Sequence, residues 1–264
     1  AARPFGPCGI PCGRLCELRH LMSDTLLDPE TRRQWAALQE RLADISARHP
    51  DALFASSLAA EDMLLAHAIF QARLPIKVFT LDTGRLHPET LGMVDKIAER
   101  YGVAVQVVHP DPAAVQEHVA AHGGFAFYES IELRKACCGI RKVAPLRRTL
   151  AGHSAWLTGQ HRDQSVTRSH LAQSEYDSVF GLQKYNPLAD WSSEQIWAVV
   201  RAFDIPYNPL HDQGYPSIGC EPCTRAVRPG EDPRAGRWWW EQSSSKECGL
   251  HESNLHAEQG EAVR

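Results

Sequence analysis

The sequence predicts an α/β fold in which a parallel sheet carries helices on its faces. Short apolar segments typical of strands alternate with longer segments of helical periodicity, from about residue 32 to residue 203. Gly or Pro marks the ends of several of these segments. The 264 residues are enough for one large domain, or two small ones, with a buried core.

The predicted elements follow this alternation in order. Residues 17–50 have a helical pattern, and it is clearest over 32–48, where large apolar residues recur at helical spacing: Trp35, Leu38, Leu42 and Ile45. Capping-box spacing from Ser192 to Gln195 starts a helix that runs to about Phe203. The other predicted helices are 61–72, 88–101, 112–122 and 141–150, and the predicted strands are 52–55, 76–81, 103–108 and 155–158.

We divide the chain into three parts. Residues 1–24 are predicted to be a poorly ordered tail, and residues 25–205 form the α/β domain. From residue 206 to residue 264, Pro, Gly and polar residues dominate and the periodicity is lost. We therefore expect a loop-rich C-terminal extension that is organised by ligands rather than by a core of its own.

Composition excludes several classes of protein. The net charge of −4 argues against a nucleic-acid-binding surface. No apolar run approaches the ~18 residues of a membrane helix. The first 16 residues contain no apolar segment typical of a secretory signal, so we expect a cytoplasmic protein. In that compartment, cysteine clusters are more often metal-binding or catalytic than disulfide-bonded.

The eight cysteines fall into four groups by spacing. Two of these groups, an adjacent pair and a C-x-x-C, together supply four thiolates, which suits either a structural zinc or an iron–sulfur cluster. The alternative for the adjacent pair is that both are small buried apolar residues. The groups are Cys8, Cys12 and Cys16; Cys137 and Cys138; Cys220 and Cys223; and Cys248 alone.

Three predicted strands end in loops that could bind a ligand, because ligands of open parallel sheets bind at the carboxyl ends of the strands. Ser56 and Ser57 precede a helix start, which favours an anion; the alternative is an ordinary N-cap by Ser57. The second loop covers residues 81–85 and the third covers residues 158–165, with Arg168 close behind. Neither a Walker loop nor a G-x-G-x-x-G pattern is present in the sequence.

Basic residues cluster around the cysteines, where a negatively charged cluster or an oxyanion ligand would need cations. For any single Arg, a solvated position is the simpler expectation. The two groups are Arg134, Lys135, Arg141, Lys142, Arg147 and Arg148, and then Arg225, Arg228, Arg234 and Arg237.

Cys248 is the candidate nucleophile. It has no metal partner left, and Arg237, Lys246 and His251 lie near it in sequence. Positive neighbours lower the pKa of a thiol and raise its thiolate fraction. The alternative is a stray exposed cysteine in a mobile tail. Upstream of it, Trp238, Trp239 and Trp240 are interpreted as packing anchors.

Five strings in the sequence resemble one family. They are LDTGRLHPET (residues 81–90), CCGIRK (137–142), IGCEPCTR (218–225), RWWWE (237–241) and ECGLH (247–251). Together they are similar to the assimilatory adenylyl-sulfate reductases, the cluster-bearing branch of the phosphoadenylyl-sulfate reductase family. The resemblance covers about residues 32–251. It implies a Rossmann-like sheet of the adenine nucleotide alpha-hydrolase type, so residues 25–205 would be a nucleotide-binding domain.

The resemblance also implies a cofactor and a mechanism. Cys137, Cys138, Cys220 and Cys223 match the ligands of a [4Fe–4S] cluster, which in this family is not thought to pass electrons in turnover and acts electrostatically. Cys248 matches the cysteine whose thiolate attacks adenosine 5′-phosphosulfate and displaces AMP. Thioredoxin, or a similar dithiol protein such as a glutaredoxin, then releases sulfite from the S-sulfonate intermediate.

The family's substrate contacts map onto a defined set of positions. Two positions depart from the family pattern: Ala59 replaces a Gly of the phosphate loop, and His161 replaces an Arg. Cys8, Cys12 and Cys16 match nothing in the family. The implied substrate-binding residues are Ser56, Ser57, Asp82, Lys142, Arg162, Arg168, Arg234, Arg237 and His251.

Three alternatives stay open at this point. The substrate could carry a 3′-phosphate, or both substrates could be used, although family members that prefer the 3′-phosphate usually lack the cluster cysteines. A tRNA-thiolating relative would need an ATP pyrophosphate loop, for which SSLAAED is a poor match. A non-enzymatic zinc-binding module is the third. The sequence leaves a homo-oligomer open.

Overall fold

A single mixed sheet organises the part of the chain that this computed structural model describes, residues 26–164 and 168–241. Its strands are β1 (Leu53–Ala55), β2 (Lys77–Leu81), β3 (Gln106–Val108), β4 (Ala155–Leu157), β5 (Ser174–Asp177) and β6 (Leu182–Tyr185). Their order across the sheet is β3-β2-β1-β4-β6-β5. All neighbours pair in parallel except β5, which runs antiparallel to β6.

Helices connect the parallel strands, which confirms the predicted fold class. The described α-helices are α1 (Pro29–Arg48), α2 (Ala60–Gln71), α3 (Pro88–Tyr101), α4 (Pro112–His122), α5 (Ile131–Cys138), α6 (Ala144–Leu150) and α7 (Ser193–Ala202). A π-helical segment, Gly139–Val143, joins α5 to α6. None of the described helices is both long enough and apolar enough to cross a bilayer.

Helix α1 forms where the apolar periodicity predicts it. The Asp28 carboxylate accepts hydrogen bonds from the backbone N–H groups of Glu30 and Thr31, and Pro29 occupies the first turn. The four predicted apolar positions are all buried: Trp35, Leu38, Leu42 and Ile45. The predicted capping box of α7 is also present, with Ser192 and Gln195 bonded reciprocally.

Both faces of the sheet are covered, as a parallel sheet requires. Phe54 points into a large core shared with α1, α2 and α7, and its neighbour Leu53 points into a smaller cluster with α6. This alternation follows from the two-residue period of a strand. The carboxyl ends of the parallel strands form the edge at which open sheets of this kind bind ligands.

Three described elements were not predicted from the sequence. Strands β5 and β6 lie in a stretch of polar residues, and Lys184 of β6 is fully buried because its ammonium pairs with Glu175 of β5 at 2.8 Å. Helix α5 has only eight residues and buries Arg134, so it lacks an apolar stripe. The predicted helix 141–150 is the end of a longer run that starts at Ile131 and passes through the π-helical segment.

The described part of the C-terminal extension, residues 206–241, contains two 3-10 helices and neither an α-helix nor a named strand. The 3-10 helices are Pro209–Gln213 and Glu221–Cys223. An isolated bridge between Leu86 and Cys220 ties the extension to the loop after β2. The predicted tail, residues 1–24 with its three cysteines, lies outside the described residues.

We expect Leu38→Ala to lower the free energy of unfolding by about 2–5 kcal/mol, because it removes a fully buried side chain from the large core. Glu40→Ala is the matched control, since Glu40 is exposed on the same helix and its change should stay within about 0.5 kcal/mol. Urea denaturation measures both. Equal effects of the two substitutions would contradict the assigned face of α1.

Candidate active site

A cavity of about 690 Å³ lies at the carboxyl edge of the sheet. Its walls come from the loops that follow β1, β2 and β4, from α7 and from the extension. This is the position at which open α/β sheets bind ligands, and the volume is typical of small-molecule sites. Residues from the three strand-end loops that line it include Ser56, Ser57, Thr83, Thr158 and Gly159, and Thr80 of β2 also lines it.

The loop after β1 leaves the amino end of α2 facing this cavity. The Ser57 N–H and Oγ–H groups donate to Asp62 Oδ2 at 2.5 and 2.6 Å. The N-cap residue Ala59 makes no side-chain hydrogen bond to the helix. Ala59 has φ −77°, so an L-residue fits its backbone without strain, and the departure from Gly imposes no conformational cost.

Asp62 and Gly159 are locked together where the loops after β1 and β4 meet. A Cβ atom on Gly159 would lie 1.9 Å from Asp62 Oδ1, so only glycine fits. Burial is the main reason why the pKa of Asp62 rises to about 7; the hydrogen bonds from Ser57 oppose this rise and the nearby charge of Glu61 adds to it. Asp62 therefore titrates near neutral pH.

Glu61 lies in the cavity wall and is hydrogen-bonded to side chains of the loop after β4. Gln164 Nε2 donates to Glu61 Oε1 at 2.8 Å, and His161 Nε2 lies 3.4 Å from the same oxygen. Burial alone would raise the pKa of Glu61, but these two contacts outweigh burial and lower it. Arg168 donates to Gln164 Oε1. His161, at the second position that departs from the family pattern, is thus used to hold Glu61.

Most of the predicted substrate-binding residues meet in the cavity. Asp82 and Arg162 are not among the residues that line it: Asp82 accepts from the Gly84 N–H at 2.8 Å, and Arg162 Nε donates to the Leu171 carbonyl at 3.0 Å. Cys248 and His251 lie outside the described residues. The predicted residues that line the cavity are Ser56, Ser57, Lys142, Arg168, Arg234 and Arg237.

The two cysteine pairs lie on different elements. Cys137 and Cys138 are the last residues of α5, directly before the π-helical segment, a distortion that is frequent at functional sites. In the C-x-x-C turn, the Cys223 N–H donates to the Cys220 carbonyl at 3.0 Å. The Trp238 N–H donates to the Cys223 carbonyl at 3.1 Å, which fixes the turn against the RWWWE segment.

Thr83 connects the two cysteine pairs with the cavity. Its carbonyl accepts from Arg141 at 2.7 Å, and its hydroxyl accepts from the Arg85 N–H at 3.2 Å. The hydroxyl proton is then available for Cys220 Sγ, 3.2 Å away. Since Thr83 also lines the cavity, Cys220 lies directly behind the cavity wall.

The four sulfur atoms act on one another electrostatically. Burial, and then the charge of Cys220, raises the pKa of Cys223 to about 12, while Lys142 and Arg237 lower it. Burial also raises the pKa of Cys137, and Arg141 opposes the rise. A raised pKa disfavours the thiolate form of Cys137 and Cys223, and a bound cation such as iron would favour it.

No group of three or more His, Cys, Asp or Glu side chains in the described ranges is arranged to hold a single metal ion.

A buried ion pair fixes the end of the described chain against α5. Arg134 Nε and Glu241 Oε1 are 2.7 Å apart, a second bond of 2.9 Å makes the pair bidentate, and both side chains are at most 3% exposed. The Trp238 ring lies between two guanidinium groups, with Arg134 at 4.6 Å and Arg237 at 4.7 Å from its centroid. This confirms Trp238 as a packing anchor, whereas Trp239 is exposed.

Comparison with known proteins places this arrangement in a family. Residues 51–226, more than half of the chain, match the phosphoadenosine phosphosulfate reductase domain. The chain belongs to the phosphoadenosine phosphosulfate reductase family.

Relatives in this reductase family align with most of the chain. An adenosine 5′-phosphosulfate reductase from Burkholderia cepacia is 60% identical, covering 86% of this chain and 91% of its own. The protein of the same name from Allochromatium vinosum is 51% identical and covers 88% of both chains. These relatives confirm the resemblance that the five strings predict.

Solved structures show the fold. The phosphoadenylyl-sulfate reductase from Candida auris, in its phosphate complex, has a TM-score of 0.62 at 24% identity, covering 84% of this chain and all of that chain. Yeast FAD synthetase has a TM-score of 0.54 at 14% identity, covering 81% of this chain and 75% of its own. Both likenesses agree with the predicted α/β fold.

Several residues of the site were missed by sequence reasoning. His211 Nε2 accepts from the Ala60 N–H at 3.2 Å, and burial lowers the pKa of this histidine. It lies in the extension, where no periodicity or motif marked it. The loop string SSLAAED did contain Asp62, but only as a residue that complements a helix dipole.

We predict a pH-dependent effect of Asp62→Asn. The Asp62 pKa rises from 3.8 to about 7 on folding, so the folded chain binds the extra proton between these values and loses stability as the pH rises through them. Removing the carboxyl removes this loss. The unfolding free energy of the variant, relative to the parent chain, should increase from pH 5 to pH 7 by at most about 1.4 kcal/mol per pH unit.

Asp163→Asn is the control for this measurement, because hydrogen bonds from Ser193 lower the pKa of Asp163 and it titrates below this range. Its difference from the parent chain should be constant from pH 5 to pH 8. Urea denaturation under anaerobic conditions measures both variants. A difference for Asp62→Asn that is independent of pH would contradict the assignment.

Proposed function

We propose that this chain reduces adenosine 5′-phosphosulfate, without a 3′-phosphate, to sulfite and AMP in sulfate assimilation. Its relatives from Burkholderia cepacia, Allochromatium vinosum and Neisseria meningitidis are named adenosine 5′-phosphosulfate reductases. The observation that carries the proposal is the position of Lys142. Lys142 lines the cavity, and its positive charge also lowers the pKa of Cys223. One cation therefore serves both the substrate site and the cysteines.

The cavity suits an anionic nucleotide. The amino end of α2 offers the positive end of its dipole to a phosphate, and the Ser56 hydroxyl lines the cavity beside it, whereas the Ser57 hydroxyl donates to Asp62. Lys142, Arg168, Arg234 and Arg237 supply cations for the phosphate and the sulfate. The Arg237 guanidinium passes directly over Gly219, where a Cβ would lie 2.5 Å from it, so the IGCEPC string needs this glycine to admit the cation.

Cys248 supplies the nucleophile in this proposal. Its thiolate forms a bond to the sulfate sulfur, the bond from that sulfur to the bridging oxygen breaks, and AMP leaves with the electron pair. The product on the enzyme is Cys248 S-sulfonate. The cations that line the cavity offset the negative charge of the leaving phosphate and of the sulfonate.

A dithiol protein such as thioredoxin completes the cycle. One of its thiolates attacks Cys248 Sγ, the bond to the sulfonate breaks, and sulfite leaves with the electron pair. The second thiol of the dithiol then attacks the mixed disulfide and regenerates the Cys248 thiolate. The dithiol is oxidised by two electrons, which are the electrons that reduce the sulfate sulfur to sulfite.

Cys137, Cys138, Cys220 and Cys223 would hold a [4Fe–4S] cluster. Their mutual electrostatic influence and the cations Arg141 and Lys142 nearby fit a negatively charged four-thiolate group. When bound, the cluster would supply a fixed negative charge beside Lys142, which also lines the substrate cavity. The four described cysteines form no disulfide, and we propose a cytoplasmic enzyme because thiol chemistry of this kind needs a reducing compartment.

We expect Cys248→Ser to abolish sulfite release, because a hydroxyl replaces the attacking thiolate. The visible absorbance of the cluster should be unchanged, since Cys248 is not a proposed ligand. Sulfite production with adenosine 5′-phosphosulfate and thioredoxin measures the first, and absorbance measures the second. A variant that keeps turnover would show that Cys248 is not the nucleophile.

We expect Cys220→Ser to lose cluster and activity together, because Cys220 is a proposed ligand and contacts Thr83 at the cavity wall. Cys12→Ser is the control: it lies far from the proposed ligands in sequence and should keep both. Iron content and sulfite release measure the outcome. An active Cys220→Ser protein without iron would contradict the role given to the cluster.

A further inference from the structure

An exposed group of aromatic side chains lies beside the C-x-x-C turn and takes no part in the mechanism above. We define it as the aromatic patch: Phe125, Tyr128 and Trp239, which are 65%, 40% and 41% exposed. The rings of Phe125 and Tyr128 are stacked with centroids 6.4 Å apart, and Tyr128 meets Trp239 at 6.1 Å. Contiguous exposed aromatic surface of this kind is typical of interaction sites.

The aromatic patch is held in place by the site behind it. The Tyr128 hydroxyl donates to the carbonyl of Pro222, inside the C-x-x-C turn, at 2.6 Å. The Arg85 guanidinium lies 5.3 Å from the Phe125 ring, and Trp240 packs against Tyr128 at 4.5 Å. A surface that is already ordered loses little entropy when it binds a partner.

Chain length places the nucleophile within reach of this surface. Trp239 is two residues before Glu241, which the buried ion pair with Arg134 fixes. Cys248 follows Glu241 by seven residues. At about 3.4 Å per residue, Cys248 must lie within roughly 24 Å of Glu241, whatever path the chain takes.

We propose that the aromatic patch is the docking surface for the dithiol protein that releases sulfite, an inference that rests on the proposed function. That protein must bring a thiolate to Cys248 Sγ, and the patch is the exposed aromatic surface adjoining the fixed point of the Cys248 segment. Aromatic residues carry much of the binding energy in protein interfaces. The exposed charged residues Glu129, Glu132 and Lys135 would form the polar rim that such interfaces have.

The chain's own C-terminal segment is a poor occupant of the aromatic patch. Residues 242–264 contain three large aliphatic residues, Leu250, Leu255 and Val263, and are otherwise mostly polar or small. A segment of this composition buries too little apolar surface to cover the patch. A separate folded protein with apolar surface around its dithiol fits better.

The test compares Phe125→Ala and Trp239→Ala with Tyr176→Ala, a control on the edge strand β5 that is 66% exposed. Sulfite release is measured with increasing thioredoxin and, separately, with dithiothreitol. We expect the KM for thioredoxin to rise about tenfold in both patch variants. The rate with dithiothreitol and the formation of Cys248 S-sulfonate should not change, and Tyr176→Ala should match the parent protein throughout.

Three results would overturn the proposal. One is an unchanged KM for thioredoxin in both patch variants. The second is an equal loss of rate with thioredoxin and dithiothreitol, which would assign the aromatic patch to the chain's own packing. The third is a change of oligomeric state in size-exclusion chromatography, which would assign the patch to a second copy. If the parent protein formed no S-sulfonate, the proposed function itself would fail, and this result is distinct from all three.

Discussion

The buried ion pair between Arg134 and Glu241 is the interaction on which the proposed site depends. It joins residues 107 positions apart in the sequence, one on the helix that ends in Cys138 and one at the end of the described chain. Two buried charges are costly unless they are well paired, and this pair is bidentate with Trp238 packed against it. The pair thus brings the cysteine helix, the C-x-x-C turn and the start of the Cys248 segment to one place.

The second constraint is electrostatic. In the proposed site, a nucleotide sulfate and four thiolates would all be negative, and they would lie on two sides of one wall that contains Thr83 and Lys142. Arg237 lines the cavity and also lowers the pKa of Cys223. Shared cations allow two anionic groups to be close without mutual repulsion dominating. This explains why the basic residues cluster around the cysteines in the sequence, although the net charge of the whole chain is −4.

The sequence predicted the parts of the fold that follow from periodicity. Helix α1 and strands β1 to β4 have clear apolar patterns. The spacing of the paired cysteines indicated a set of four thiolates. Strand β6 was missed because it buries Lys184, whose ammonium pairs with Glu175 on β5. Likewise, nothing local indicates that Gly159 must admit Asp62, or that Arg134 is buried, because both facts depend on a residue far away in sequence. Asp82 and Arg162 matched family positions, yet here their polar atoms contact the protein's own backbone.

The central claim is that Cys248 attacks the substrate sulfur at a site built from the cavity and the cysteines behind it. Mass spectrometry after mixing the intact protein with adenosine 5′-phosphosulfate, in the absence of any dithiol, tests it most directly. The account predicts a sulfonate adduct on the peptide that contains Cys248, which disappears with release of sulfite when thioredoxin is added. An unmodified Cys248 peptide, or an adduct on another cysteine, would contradict it.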